Sequence, residues 1–312
     1  NALKGVLSAR EAARALAQGF ARAGVAADEL PLADGGDGTA DVLHAALGGE
    51  WLEAEVSDPL GRPVSARLLL LPDGRAVVEA ADAIGIARLA RGELDPLAAS
   101  SRGLGELILA AAPHARELLV ALGGTATVDG GAGFLEVVRE LPVPTRVACD
   151  VANPLLGERG AARAFGPQKG ATPAQVEVLD ARLAAMSELR SAADLPGAGA
   201  AGGLGAALAV LGAELVPGAE LVLETVAFRE RIRGAAVVVT GEGVVDRTSA
   251  EGKAPGVAVR ICREEGVRCV VFGGRVLEDL PDAEMRALSG DPARAADDLV
   301  ALGEAVGSTL GL

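Results

Sequence analysis

The 312-residue sequence predicts an α/β fold with two domains. Two apolar runs, Leu118 to Leu122 and Ala235 to Val239, each end in a glycine turn with polar groups, as strands of a parallel sheet do. From Trp51 to Ala80, short runs rich in Val and Leu alternate with turns, which indicates an antiparallel meander. One domain is therefore expected to hold a parallel sheet and the other a mixed one.

The N-terminal part predicts a helix and a short strand. Ser8 and Glu11 form a capping box for a helix that Gly24 closes. Leu30 to Leu32 is expected to be a strand that leads into a glycine-rich loop.

That loop, residues 33–39, places Asp34 and Asp37 three residues apart on a permissive backbone. Asp37 stands where the N-cap of a helix from Thr39 to Leu47 is expected, so the free N–H groups of that helix would adjoin the carboxylates. This combination suits a metal ion and phosphates. An ordinary Asp-Gly turn with a capping aspartate is the alternative.

The middle of the chain repeats the sequence of strand, turn and polar group. Ser101 is expected to cap a helix that Pro113 stops, and Asp150 follows the short strand 146–149. Thr172 and Gln175 form a second capping box.

Residues 197–202 match the GxGxxG pattern, but Asp194-Leu195-Pro196 precedes them where a dinucleotide site needs a strand. We therefore predict no Rossmann NAD site, and expect these glycines to begin the helix Leu204 to Leu211. No stretch matches a P-loop. In the last third, 254–265 is expected to be a helix, 269–272 a strand and Leu299 to Leu302 a last strand.

Composition excludes several classes of function. A net charge of −14 argues against nucleic acid or an anionic membrane as a partner. Three scattered cysteines predict a reducing, cytoplasmic location and no disulfide framework, and two isolated histidines give little support to a zinc site or a histidine triad. No apolar run reaches the ~20 residues of a membrane span.

The three lysines, Lys4, Lys169 and Lys253, each adjoin a glycine, although the chain uses arginine for its other basic residues. A compact ammonium at a glycine-flanked position is suited to meet a phosphate or a carboxylate. Chance placement is the alternative, because glycines number 42.

A series of motifs resembles the bacterial glycerate kinases of the kind that include the glycerate 2-kinases. The matching stretches follow the order of that family along the chain: residues 4–9, 33–39, 101–108, 123–133, 148–150 with 153–155, 165–171, 197–205 and 240–253. The sequence departs from the pattern at Val128, where Asn is usual, and at Val244, where Arg is usual.

The resemblance implies transfer of the γ-phosphoryl group of ATP, with Mg²⁺, to a hydroxyl of D-glycerate, with 2-phosphoglycerate favoured over 3-phosphoglycerate. It also implies one flavodoxin-like domain and one mixed α/β domain with a cleft between them. The expected division assigns residues 1–48, 95–134 and 234–312 to the first domain and 49–94 and 135–233 to the second. A homodimer is compatible with it.

Phosphoryl transfer needs positioning, charge neutralisation and a base. The candidates for these tasks fall into two groups. The predicted catalytic residues are Lys4, Asp34, Asp37 and Asp150, of which the three aspartates are also the predicted metal ligands. The predicted nucleotide-binding residues are Gly124, Thr125, Gly130, Lys169, Gly199, Gly202, Gly241, Glu242 and Lys253.

Spacing alone does not separate the metal ligands from the base. Two other functions stay open at this stage: a kinase of another small hydroxy acid or sugar acid, and a nucleotide-binding regulator without catalysis. The aspartate set counts against the regulator, which would need no acid cluster.

Overall fold

The computed structural model describes residues 1–3, 5–250 and 252–310. The chain divides into two compact units. Unit 1 comprises Asn1–Asp34, Asp41–Leu47 and Ala219–Leu312, and unit 2 comprises Gly35–Ala40 and Gly48–Gly218. Each unit has its own sheet and its own hydrophobic cluster, so the predicted α/β class with two domains is confirmed.

The helices and strands are named here in chain order. The strands are β1 (Glu50–Ser57), β2 (Pro63–Leu70), β3 (Arg75–Glu79), β4 (Glu117–Ala121), β5 (Thr145–Cys149), β6 (Glu214–Pro217), β7 (Val238–Val245), β8 (Cys269–Val276) and β9 (Glu284–Ala287). The helices are α1 (Ala9–Arg22), α2 (Thr39–Leu47), α3 (Ala80–Ile84), α4 (Arg102–Ala111), α5 (Ala132–Val137), α6 (Ala161–Phe165), α7 (Pro173–Ala185), α8 (Ala200–Val210), α9 (Gly218–Thr225), α10 (Phe228–Ile232), α11 (Arg247–Ala250), α12 (Ala254–Glu265) and α13 (Ala295–Ser308).

Unit 2 is built on a six-stranded mixed sheet in the order β1-β2-β3-β4-β5-β6. β1, β2 and β3 pair antiparallel, which confirms the predicted meander. β3 to β6 run parallel, so the carboxyl ends of these strands lie at one edge of the sheet. The core of this unit gathers Ile84, Leu107, Phe134 and Leu204, all fully buried.

Unit 1 holds a parallel sheet in the order β7-β8-β9. Its core places Phe20 of α1 and Leu299 of α13 with Val270 and Phe272 of β8. α1 begins after Ser8, whose hydroxyl accepts the N–H of Glu11, as the capping box predicts.

Three further local predictions are confirmed. Thr172 and Gln175 cap α7, α12 has the predicted bounds, and no strand precedes the glycines 197–202. A 3-10 helix, Ser187–Ala192, lies before those glycines instead.

The domain division differs from the predicted one, because β4 pairs with both β3 and β5 and so holds residues 95–134 in unit 2. The strand predicted at Leu299 to Leu302 is wrong. These residues belong to α13, whose buried Ala295, Leu299, Leu302 and Val306 recur at helical spacing against α1. Leu30 to Leu32 is irregular and not a strand, and Pro31 within it lacks the N–H that a ladder uses.

Candidate active site

A cavity of about 480 Å³ in unit 2 lies where β4 and β5 end. The lining comes from the ends of β4 and β5 with the residues after them, from the glycine-rich loop 33–39, from the segment after α3, from the end of α6 with the 3-10 helix that follows it, and from the start of α8. These segments contribute Gly35, Ile86, Leu122, Gly123, Gly124, Thr125, Ala148, Cys149, Asp150, Val151, Phe165, Gln168, Lys169, Ala200 and Ala201. The carboxyl ends of parallel strands are the usual place for ligands in α/β sheets. Four predicted site residues, Gly124, Thr125, Asp150 and Lys169, therefore share one cavity.

Lys169 is the most unusual side chain of this cavity, because it is a lysine with only 4% of its surface exposed. A short 3-10 helix, Pro167–Lys169, carries it inward after α6. Its Nζ donates to Thr127 O at 2.7 Å and to Thr125 Oγ1 at 3.1 Å. Burial lowers its pKa to about 7, and the nearby Asp129 only partly opposes that shift.

Asp129 is a structural carboxylate and not a free ligand. Oδ2 accepts from the N–H and the hydroxyl of Ser101, both at 2.8 Å, and from Gly133 N at 3.2 Å, while Oδ1 accepts Gly131 N at 3.1 Å. Ser101 was predicted to cap α4, but its side chain makes no cap bond to that helix. Its hydroxyl joins Asp129 to the N–H of Phe134 instead.

Three predicted nucleotide-binding glycines have packing roles and do not line the cavity. Gly130 N–H donates to Gly202 O at 2.9 Å, and a Cβ on Gly202 would lie 2.1 Å from Thr127 O. Gly199 N–H donates to Asn153 O at 2.9 Å, and a Cβ there would lie 2.3 Å from Pro154 O. Glycine is needed here because the kinked start of α8 approaches two backbones closely.

Asp37 was predicted to cap α2, and the structure gives that task to Glu79. The Glu79 carboxylate accepts Ala40 N–H at 2.7 Å and Gly38 N–H at 3.3 Å, although Glu79 lies at the end of β3. Asp37 itself is exposed, and its backbone nitrogen adjoins Gly123, where a Cβ would lie 2.7 Å from it. Glu79 thus anchors the glycine-rich loop against the carboxyl edge of the sheet.

Burial raises the pKa of Glu79 to about 7, and the neighbouring carboxylates Asp82 and Asp37 add to that shift. The two N–H bonds oppose it. Glu79 was not among the predicted site residues, although it follows the apolar residues Val77 and Val78 as the other polar residues at strand ends follow apolar runs.

Unit 1 contains a separate pocket of about 370 Å³ that holds three predicted residues, Asp34, Glu242 and Lys253. Asp34 accepts Ala254 N–H at the start of α12 and the side-chain amide of Asn1, each at 2.8 Å. Lys253 Nζ lies 3.5 Å from Glu242 Oε2 and 3.9 Å from Asp246 Oδ1.

Glu242 keeps a second carboxylate oxygen, Oε1, that is buried with no hydrogen-bond partner among the described residues. Gly241, also predicted to bind nucleotide, packs against β8 instead, since a Cβ there would lie 2.2 Å from Phe272 O.

The predicted metal ligands divide between the units: Asp34 lies in unit 1, and Asp37 and Asp150 lie in unit 2. Within the part of the chain that the structure describes, no cluster of three or more His, Cys, Asp or Glu side chains is arranged to hold a metal ion. Lys4, the fourth predicted catalytic residue, lies outside the described residues. No helix among residues 1–3, 5–250 and 252–310 has the length and apolar character to cross a membrane.

Comparison with known proteins agrees with the resemblance. The profile of the glycerate kinase family matches residues 1–140 and 136–291. The chain is 37% identical to the glycerate kinase of Bacillus subtilis (strain 168), over 89% of this chain and 84% of that protein. It is also 37% identical to the glycerate 2-kinase of Escherichia coli (strain K12), over 88% of this chain and 83% of that protein.

A crystal structure assigned to glycerate kinase 2 of Salmonella typhimurium LT2 has the same fold, with a TM-score of 0.89 and 32% identity. The match covers 99% of this chain and 96% of that chain. The chain therefore belongs to the glycerate kinase family, a family of phosphotransferase enzymes.

Proposed function

We propose that this chain transfers the γ-phosphoryl group of ATP to a hydroxyl of D-glycerate, with 2-phosphoglycerate favoured over 3-phosphoglycerate as the product. The observation that carries the proposal is the family match along nearly the whole chain, together with 37% identity to a glycerate 2-kinase. The cavity of unit 2 supports it, because it combines a buried ammonium with a carboxylate at the carboxyl ends of parallel strands.

Mg²⁺ is the cation that we propose for the reaction. Its preferred ligands are carboxylate and phosphate oxygens, and it commonly takes only one or two carboxylates from a kinase. Asp37 and Asp150 fit this pattern: both are exposed carboxylates of unit 2, and a Cβ on Gly36 would lie 3.6 Å from Asp150 Oδ2. When bound, the ion would offset the negative charge of the transferred group.

The protein groups have separate tasks in this proposal. Asp34, Asp37 and Asp150 are the candidates for metal ligand and for the base that accepts the proton of the attacking hydroxyl. Lys4, Lys169 and Lys253 supply positive charge for anionic groups, and the backbone N–H groups of Gly124 and Thr125 are available at the cavity.

A coupled assay of ADP formation tests the function. We expect ADP to form only when D-glycerate, ATP and Mg²⁺ are all present, and a phosphorus NMR spectrum to identify 2-phosphoglycerate. Equal ADP formation with and without glycerate would contradict the proposal. A panel of other hydroxy acids and sugar acids in the same assay tests the second candidate, a kinase of a different acid. A preferred substrate in that panel would show a higher kcat/KM than D-glycerate.

The expected location remains the cytoplasm, which suits the three free cysteines of the described chain. A homodimer stays a prediction that sedimentation can test.

A further inference from the structure

The cavity of unit 2 contains a buried positive charge, that of Lys169, which no carboxylate of the described chain contacts directly. Among the described residues, no carboxylate lies within salt-bridge distance of Lys169 Nζ. Asp129 influences it only at longer range and is already engaged by four donors. A buried cation without a counter-ion is costly, so an anionic ligand would be favoured here.

One N–H donor of the Lys169 ammonium has no acceptor among the described residues. An ammonium has three N–H donors, and the described residues accept two of them, at Thr127 O and Thr125 Oγ1. Because Thr125 Oγ1 accepts from Lys169, its own O–H proton is left to donate elsewhere. Both residues line the cavity, and their polar atoms are 3.1 Å apart. The wall therefore presents one charged and one neutral donor side by side.

We infer that this donor pair binds the carboxylate of the hydroxy-acid substrate, so that Lys169 and Thr125 form the acid-binding subsite of the enzyme. The inference rests on the proposed function and adds the position and orientation of the acceptor. Two adjacent donors match the two oxygens of a planar carboxylate.

The charge of the cavity favours a monoanion over a triphosphate. Lys169 is the one cation and Asp150 the one carboxylate among the described residues that line it. A triphosphate brings up to about four negative charges. One ammonium, in a cavity that also contains the carboxylate of Asp150, does not offset them. A hydroxy acid brings one negative charge for Lys169 and hydroxyl protons that Asp150 can accept. The same ligand thus uses both charged groups.

The decisive comparison is between D-glycerate and D-glyceramide, in which a neutral amide replaces the carboxylate. For the wild-type enzyme we expect kcat/KM to be at least about 1,000-fold higher for D-glycerate, because a site built for an ionised group rejects the neutral analogue. Lys169→Met should lower kcat/KM for D-glycerate at least about 100-fold and change that for D-glyceramide less than about threefold. The KM for ATP should stay within about threefold of the wild-type value.

Three further variants test whether the effect is specific to this donor pair. Thr125→Val removes the hydroxyl at nearly constant shape and should raise the KM for D-glycerate about tenfold, and Thr125→Ser should restore it. Arg190→Met removes an exposed cation of the same unit and should change neither KM.

A Lys169→Met enzyme that keeps its preference for D-glycerate but shows a raised KM for ATP would overturn the inference, because Lys169 would then serve the nucleotide. If the wild type phosphorylated no acid, the proposed function would fail instead. Calorimetry with D-glycerate and nucleotide-free protein still tests the subsite in that case: binding that Lys169→Met abolishes supports it, and binding that the variant retains overturns it.

Discussion

Lys169 shows how a single buried charge links folding to ligand binding. Burial lowers its pKa from 10.5 to about 7, so between these values the unfolded chain binds one more proton than the folded chain. The free energy of unfolding should therefore rise as the pH increases from 7 to 10.5. Below pH 7 both states hold the proton and the full penalty of burial remains.

Lys169→Met should accordingly stabilise the ligand-free protein at pH 6 to 7, by on the order of a few kcal/mol, and by less as the pH approaches 10. Thermal melts of both proteins across this pH range measure the difference, with Arg190→Met as the control. A stability difference between Lys169→Met and the wild type that does not change with pH would show that burial does not lower the pKa of Lys169. The predicted gain in stability with a loss of activity is typical of a functional residue.

Lys4 is a second lysine to test, on sequence grounds alone. It adjoins Gly5 and precedes a helix that Ser8 caps, where N–H donors and a positive dipole end favour anions. We expect Lys4→Met to lower kcat/KM at least ~100-fold, about 2.7 kcal/mol, with little change in melting temperature. Lys4→Arg should also lack activity, because the planar guanidinium of arginine does not replace the compact ammonium of lysine. Full activity of Lys4→Met would contradict a role for Lys4 in activity. Full activity of Lys4→Arg would show that any positive charge suffices at this position.

At the scale of elements, the start of α2 depends on a carboxylate from β3. Glutamine at position 79 can accept one N–H but presents its amide protons to the other, so Glu79→Gln should loosen the turn at Gly38. We expect kcat to fall about tenfold or more. Glu140→Gln, which alters an exposed glutamate of the same unit, should leave kcat unchanged.

The stability of the same variant separates positioning from simple structural support. The pKa of Glu79 is raised from 4.5 to about 7, so the folded state binds its proton more tightly and the cost of burying the charge is full above pH 7. Glu79→Gln removes that cost, and its melting temperature at pH 8 should equal or exceed that of the wild type. Loss of activity through loss of fold would appear instead as a lower melting temperature at pH 8.

Asp37 occupies the loop that Glu79 anchors. Because Glu79 and not Asp37 accepts the N–H groups at the start of α2, Asp37→Asn should change the free energy of unfolding by less than ~1 kcal/mol. Activity should fall by orders of magnitude if the carboxylate acts at the metal or the phosphates. A large loss of stability in denaturant melts would return Asp37 to a turn-forming role.

At the scale of the whole molecule, two units with separate cores allow unit 2 to be followed by itself. The single tryptophan, Trp51, lies on β1 of that unit, with the Arg67 guanidinium 4.5 Å from its ring centre. D-Glycerate at 100 times its Kd should stabilise the state that binds it by about 2.7 kcal/mol. The midpoint of thermal unfolding seen by Trp51 fluorescence should therefore rise with D-glycerate in the wild type. Glycerol, which lacks the carboxylate, should not raise it, and an equal rise in Lys169→Met would contradict the assigned subsite.

The sequence by itself determined the features that depend on neighbours a few residues apart. Both capping boxes, the bounds of α12 and the turn after β4 follow from spacings of three or four residues, at which helix and turn contacts are made. The glycine turn predicted at residues 240–243 is wrong, because these residues lie within β7 and pair with β8. The ordered series of motifs also identified the family, because many short matches in one order are specific where each alone is not.

Only the tertiary structure decided which distant residues share a site. Glu79 reaches Ala40 across 39 positions, and Lys169 reaches Thr125 across 44. The pairing of β4 with β3 and β5, the helical state of Leu299 to Leu302 and the packing of Gly130 against Gly202 depend equally on contacts between distant segments. Such contacts leave no periodic signal in the sequence, since the free energy that selects them comes from burial and hydrogen bonding between segments that meet only in the folded chain.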